Sequence, residues 1–537
     1  TEFLNAGANI DHKNSNGATA VLIATEHNKK TLLKVLLDKG AEPDTPNNSG
    51  WTALMQAINM GDEALFNLLL NANASPNVKA DDGWNALHLT VNKSNKGSDE
   101  VNSLFAKALL KSGADKNAQT NGGETAVSLA IFNNRIKVFD VLIESGVDLN
   151  LSAKNGWTPL MRAVNLGYVD MATAILNAKA DVNKAENGGW TALHLTVDAN
   201  TRSSERINLQ LAKLLLAKGA KIDQENNGGN TALSLSIINE QKAIFDFLLG
   251  KNANVNVSDK EGYTPLLRSI GNGRIEIAKI LIEKVKDINS ATKNGWNALH
   301  LTVDGDSKLS KAQNFELAKH LVRKNINLNA TTESKYSALQ LSILNKNEKI
   351  FDLLLDNQAL LDTFNVDGYS PLMSAIESGN FYMFNRLMDA GTIIKGSSEN
   401  GWNALHFAVE DNRKGDPLIY PKIISRLLEK GIKIDGRTNS GLTAIHLAVW
   451  NDFPVALKLL IEKGADINQA NNDGWTPLMR AVDRENYNMV KDLIAAGANI
   501  SPKNKNGETA LMIAKKLEQD ELIVKNIILL LTNGDKN

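Results

Sequence analysis

The chain has 537 residues, with 59 basic side chains against 60 acidic ones and a formal net charge of −1. That balance lacks the basic footprint of a nucleic-acid-binding protein, and the absence of cysteine excludes disulfides and thiolate metal sites. No apolar run reaches the length of a membrane-spanning helix; the longest near an end, Ile527 to Leu531, is far too short.

In chain order the first feature is a partial unit. Phe3-Leu4-Asn5-Ala6-Gly7-Ala8-Asn9-Ile10-Asp11 reads as the end of a helix and the turn after it. The front half of that unit is missing, and Thr1 is not an initiator methionine, so the natural protein is expected to extend further toward its N-terminus. A start signal then recurs at Thr19, Thr52, Asn85, Thr125, Thr158, Thr191, Thr231, Thr264, Asn297, Ser337, Ser370, Asn403, Thr443, Thr476 and Thr509. Each residue has a side-chain oxygen that can cap the open N–H groups of a helix. The next residue is always Ala or Pro, and proline suits the first helical position because its missing N–H costs nothing there. Leu, Val or Ile follows, and three residues later comes Ala, Ser or Thr, small enough to let helices approach.

A second apolar segment follows in each unit, as in Leu32-Leu33 with Val35-Leu36-Leu37, or Met171-Ala172 with Ala174-Ile175-Leu176. Both have helical spacing. Most of these segments stop at Gly or Asn, residues suited to the left-handed C-terminal cap, before an extended turn such as Gly464-Ala465-Asp466-Ile467-Asn468. The unit therefore reads helix, turn, helix, projecting loop. Counted from Thr19, units of 33, 33 and 40 residues make a larger step of 106, marked by Trp51, Trp157, Tyr263, Tyr369 and Trp475 and again by Trp84, Trp190, Trp296 and Trp402. Length alone suggests three or four domains, but a modular stack grows without enlarging one core.

Thr158-Pro159-Leu160-Met161-Arg162-Ala163 and Thr443-Ala444-Ile445-His446-Leu447-Ala448 follow the T-P-L-H-x-A start of a 33-residue repeat. With fifteen aligned units the chain resembles the ankyrin-repeat family over essentially its whole length. The resemblance implies an all-α solenoid of paired antiparallel helices with hairpin loops projecting sideways, curved into a superhelix. The expected layout is one continuous array over 1–537: a partial first repeat at 1–15, internal repeats over 16–506 and a C-terminal capping repeat at 507–537. The polar Asn533-Gly534-Asp535-Lys536-Asn537 makes a stop.

Every third unit carries about seven extra residues relative to the usual repeat length. They are placed between its two helices, at 92–102, 198–208, 304–314 and 410–420. Mostly polar, they read as solvated turns or, because they recur in phase, as a row of contacts on one edge. The fourth copy, with Pro417, Tyr420 and Pro421, is the least like the others.

Catalytic and metal chemistry find no foothold. His88, His194, His300, His406 and His446 all stand three residues after a cap, where an imidazole can bond to the capping residue or an adjacent loop. Repetition singles out none of them as a base. His12, His27 and His320 lack metal-ligand spacing. Gly271-Asn272-Gly273 is a lone G-x-G without the strand or third glycine of a dinucleotide site, and no phosphate-binding P-loop is present. Carboxylates in the G-A-D-x-N loops suit local turn hydrogen bonds. No cofactor and no metal is expected.

The aromatic ladder is the better candidate. Trp51, Trp84, Trp157, Trp190, Trp296, Trp402 and Trp475 stand directly before a capping residue, and Tyr263, Tyr336 and Tyr369 fill the same slot. In ankyrin proteins this neighbourhood borders the concave, partner-binding side, and Trp and Tyr give large contact area with few rotamers. Alternatively each ring packs on the neighbouring loop and stabilises the stack. Arg162, Arg268 and Arg480 recur four residues after their caps, replaced by Gln56 and Ser374 in the other two copies. They read as a row for an acidic partner or as ordinary solvent-facing charge.

The expected function is non-catalytic: a protein–protein interaction scaffold binding a protein or extended peptide along its concave face, with no nucleic acid and no membrane insertion in this segment. Oligomerisation is left open. One alternative is a targeting arm for an enzyme or membrane domain preceding Thr1. The other is a stoichiometric inhibitor or immunity-type protein, with the Pro417/Tyr420 loop as its plug. A cytoplasmic setting is the default and a secreted effector the alternative.

Overall fold

A computed structural model describes residues 7–410, 414, 416–517 and 521–533. Phe3–Ala6 of the partial first unit, residues 411–413 and 415 of the fourth insertion, and residues 534–537 of the polar stop lie outside the described residues. The chain divides into two compact units, residues 1–260 and 261–537. Among the described residues the first contains seven helix pairs, from Ala20–Glu26 with Lys30–Asp38 to Ala232–Ile238 with Lys242–Gly250. The second contains eight, from Pro265–Gly271 with Ile275–Ile282 to Ala510–Ala514 with Leu522–Asn533. No strand is present among the described residues.

Each of the fifteen start residues is the N-cap of a first helix. Thr52, for instance, is extended at φ −100° and its side chain accepts from the Met55 N–H. Pro159, Pro265, Pro371 and Pro477 open their helices without losing a bond. The small residue inside each first helix is fully enclosed, as at Ala57, Ala163, Ser236 and Ala481. The buried hydroxyl of Ser236 returns to the Leu233 carbonyl at 2.6 Å, so it buries no unpaired polar group. A larger side chain there overpacks a close helix contact, at a cost of about 1–3 kcal/mol.

Within each unit the chain stacks pair on pair. Ala53–Met60 packs on Ala20–Glu26, and Glu63–Asn71 packs on Lys30–Asp38. Apolar residues such as Met171, Ala172, Ile175 and Leu176 are buried on a helix that packs against its own pair and the next one. Loops are joined as firmly as helices. Each loop tip donates a backbone N–H to the carbonyl of the preceding tip: Asp81 to Ser49 at 3.2 Å, Lys154 to Gly122 at 3.0 Å, Glu333 to Asn294 at 2.8 Å and Lys505 to Asp473 at 2.9 Å. The loop carboxylates and amides do more than close their own turns. Asp181 Oδ1 accepts locally from the Asn183 N–H, and Asn150 Oδ1 accepts from the Asp181 N–H of the next repeat at 2.8 Å. Asn117 to Asp148, Asn468 to Asn499 and Asp435 to Asp466 repeat the inter-repeat bond.

The insertions differ from their expected placement. The last residues of the first three become helix, since Asp99–Lys111, Glu205–Ala217 and Lys311–Arg323 run for 13 residues against 9 in most second helices. Ser98, Ser204 and Ser310 cap them, and Asp99, Glu100 and Glu205 favour the first turn electrostatically. The preceding first helices shrink to Ala86–Leu89, Ala192–Leu195 and Ala298–Thr302. The carbonyls freed at those shortened ends are not left open. Asn133, Asn239 and Asn345 of the following repeat donate side-chain N–H groups to Val91, Val197 and Val303 at 2.7–2.8 Å.

The insertion loops are therefore packed, not merely solvated. In the first, Asn95 and Asn102 are both buried: Asn95 Nδ2 donates to Asn102 Oδ1 at 2.8 Å and to Leu89 O at 2.9 Å, and Asn102 Nδ2 donates to Gly97 O at 2.9 Å. Asn208 and Asn314 hold the corresponding place, bonding to Thr201 and Ser307. In the fourth copy Tyr420 takes that place, fully buried, with its hydroxyl donating to Lys414 O at 2.7 Å. Tyr420 is thus an internal anchor and is not available as an exposed plug.

Candidate functional site

The ladder aromatics sit where each loop hairpin enters its first helix. Their backbone is pinned on both sides: the Trp157 carbonyl accepts from Ala153 N at 3.0 Å, and its N–H donates to Asn155 Oδ1 at 3.1 Å. Trp51, Trp296, Trp402 and Trp475 are held by equivalent pairs of bonds. At the tip before nine of the ten rings a glycine takes the left-handed conformation, as Gly156 does at φ +86°, and Lys335 takes it before Tyr336. A Cβ on Gly156 would lie 2.7 Å from the Asn187 backbone N. All ten ladder residues are half-buried. None of the seven ladder indole nitrogens is hydrogen-bonded among the described residues, and none is enclosed.

The ladder also meets the histidines. Trp84, Trp190, Trp296 and Trp402 lie 5.9–6.1 Å, centroid to centroid, from His88, His194, His300 and His406. Those imidazoles and His446 are buried. In each, Nδ1 accepts the N–H of the capping residue, at 3.0–3.2 Å, so the proton belongs on Nε2. Nε2 then donates to a carbonyl of the next loop: Ala118, Asn230, Ala330, Gly436 and Trp475, at 3.0–3.2 Å. Burial pushes the pKa of His88, His300, His406 and His446 down to about 4, and lowers that of His194. These are neutral struts between repeats.

The structure brings the arginines onto aromatic rings. Arg480 lies 4.1 Å from the ring centre of Trp450 and 4.5 Å from that of ladder Trp475, and pairs with Asp483 at 2.8 Å. Arg268 covers Tyr263 at 4.1 Å. Arg162 stands 5.4 Å over Phe132 and pairs with Glu124. The row is neither loose solvent-facing charge nor an isolated anion site; cation–π contact ties it to the same surface as the ladder. Phe132 and Trp450 are themselves partly exposed, so this surface is broader than the sequence reading made it. Their signal was present at equivalent repeat positions, but they fall at helix ends, where an apolar residue usually counts as core.

No group of three or more His, Cys, Asp or Glu side chains among the described residues is placed to hold a metal ion. His320 instead pairs with Glu283 at 2.7 Å. No described helix is long and apolar enough to cross a membrane.

Stacked helical hairpins with pinned loop tips define an all-α repeat protein whose distinctive surface is repeated along the chain. The family description "Ankyrin repeats (3 copies)" matches in overlapping stretches, among them 1–80, 61–153, 146–203, 179–259, 307–397 and 456–537, that together span the chain. The chain belongs to the ankyrin-repeat family, whose members are generally protein–protein interaction modules and typically non-catalytic. Among solved structures it is similar to the ankyrin repeat domain of Bcl-3, described as a unique member of the IkappaB protein family. That likeness has 27% identity and a TM-score of 0.38, over 44% of this chain and 100% of the other. It is also similar to the human ASB11 ankyrin repeat domain, with 23% identity and a TM-score of 0.37, over 44% of this chain and 98% of that one. No curated protein matches the chain.

Proposed function

We propose that this chain is a non-catalytic scaffold that binds a protein or extended peptide across its ladder surface, on the side that the family resemblance makes concave. The supporting observation is the set of seven half-buried ladder tryptophans whose indole N–H groups have no partner among the described residues and are not enclosed. Rings whose backbone is already fixed lose little freedom on binding, and each offers apolar area with a donor at its edge. Trp51, Trp84, Trp157, Trp190, Tyr263, Trp296, Tyr336, Tyr369, Trp402 and Trp475 would supply contact area, with Arg162, Arg268 and Arg480 as charged neighbours.

The test is affinity capture by the intact chain and by a Trp157→Ala/Trp190→Ala variant, with far-ultraviolet circular dichroism as the folding control. A stoichiometric partner should be retained at least about tenfold less by the variant at unchanged helix content. Undiminished capture would assign the rings to loop stacking. A Trp157→Phe/Trp190→Phe variant keeps an aromatic ring in each slot while removing the donor and part of the ring area, so it separates recognition from stability if the alanine variant unfolds.

A further inference from the structure

Between Tyr263 and Trp296, consecutive rungs of the ladder in the second unit, lies an open notch of about 430 Å3. Leu301 lines it together with three carboxylates, Glu261, Asp304 and Asp306. No lysine or arginine lines it. The carboxylates come from two directions. Glu261 belongs to the loop tip that carries Tyr263, while Asp304 and Asp306 belong to the insertion loop that follows the shortened helix Ala298–Thr302. Asp304 Oδ1 accepts from the Asp306 N–H at 3.2 Å, which holds the two acids in one turn. The insertion thus delivers negative charge beside an aromatic wall.

A sister notch lies between Trp51 and Trp84 in the first unit, at about 180 Å3. It has one carboxylate, Asp82, and Asn92 stands where the second unit has Asp304. The geometry recurs there with one carboxylate in place of three.

Two aromatic rings with carboxylates beside them complement a cation that can stack and donate several hydrogen bonds at once. A guanidinium does both; an ammonium is a more strongly hydrated point charge. The chain stacks such a group on this ladder already, since Arg268 covers Tyr263 without lining the notch. The volume exceeds one guanidinium, so adjoining backbone enters with it.

We propose that the Tyr263–Trp296 notch receives an arginine side chain from an extended basic segment of a partner protein, with the guanidinium against Trp296 and paired to Asp304 and Asp306. This rests on the ladder being a binding surface and adds the partner's chemistry.

The probe is a fluorescein-labelled peptide alternating arginine and serine, titrated into the intact chain by anisotropy. Its companions are the same peptide with citrulline for arginine, with lysine for arginine and with glutamate for arginine. The arginine peptide should bind best, the lysine peptide more weakly, and the citrulline and glutamate peptides at least about tenfold more weakly. Asp304→Asn/Asp306→Asn retains the Oδ1 acceptor that closes the turn and should weaken the arginine peptide about tenfold. A control removing two exposed carboxylates elsewhere, Glu63→Gln/Glu144→Gln, should leave binding unchanged. Equal binding of the citrulline peptide, an equal loss in the control variant, no loss in the Asp304/Asp306 variant, or no binding at all would overturn the assignment. The Trp157/Trp190 capture result concerns the other unit, so the ladder reading stands or falls separately.

Discussion

Lys335 stands at φ +59° at a loop tip where Gly17, Gly123, Gly229 and Gly441 hold the equivalent place at φ +75° to +80°. A residue with a Cβ pays about 1–2 kcal/mol for the left-handed conformation, and glycine loses about 0.5–1 kcal/mol more entropy on folding. Lys335→Gly should therefore stabilise the chain by a net of about 0.5–1 kcal/mol, read as a rise in the urea midpoint; an unchanged or lower midpoint would show that Lys335 makes contacts worth its strain. The caps were legible because their requirement is local: a cap needs one oxygen at one spacing, so all fifteen N-caps could be placed from the chain. The stacking of Arg480 between Trp450 and Trp475 was not legible, because its partners come from two repeats and neither residue type announces the contact.

At the scale of elements the insertions carry the lesson. Their presence and phase were plain in the sequence, but their role was hidden in asparagines that read as turn formers. Asn102, Asn208 and Asn314 recur at the same place in otherwise variable segments, and that constancy was the available signal. The structure buries all three as anchors that hold the loop against an extended second helix. Tyr420 meets the same need with a longer side chain that reaches Lys414 O directly. Asn102→Ala would leave one N–H of the Asn95 amide and the Gly97 carbonyl without the partner each has now, and an unsatisfied buried group costs about 1–3 kcal/mol. The expected outcome is a loss of about 2 kcal/mol in stability, with faster hydrogen exchange concentrated in residues 90–98. Exchange unchanged in that loop, or changed evenly along the chain, would contradict the anchor role. The acid-bearing turn Asp304–Asp306 is built on the same kind of loop, so structural anchor and surface chemistry share one insertion.

Across the whole molecule the five cap histidines couple stability to pH, and the sign follows from their burial. In the unfolded chain each takes a proton near the ordinary pKa of 6.5, whereas in the fold His88, His300, His406 and His446 resist protonation down to about 4 and His194 shifts the same way. Above pH 6.5 both states are neutral and folding bears no penalty. Between 6.5 and about 4 the unfolded chain binds protons that the fold refuses, so stability falls as pH falls through that window. At pH 5 the loss is about 2 kcal/mol for each of His88, His300, His406 and His446. Protonation is opposed for a definite reason: Nδ1 faces the N–H of the cap, and a second ring proton would replace that bond with two donors pointing at each other. Position 340 supplies a non-titrating version, where Gln340 Nε2 donates to the Tyr369 carbonyl at 2.7 Å from the place His300 holds in its own repeat. His300→Gln/His406→Gln should keep the bond to the next loop and lose part of the pH dependence. Urea unfolding read through tryptophan emission at pH 7 and pH 5 decides it, because Trp296 and Trp402 lie 6.1 and 6.0 Å from the two imidazoles. The wild-type midpoint should drop strongly between the two pH values and the double variant's midpoint should drop less. An equal drop in both would mean that carboxylates, and not these struts, set the acid limit of the fold.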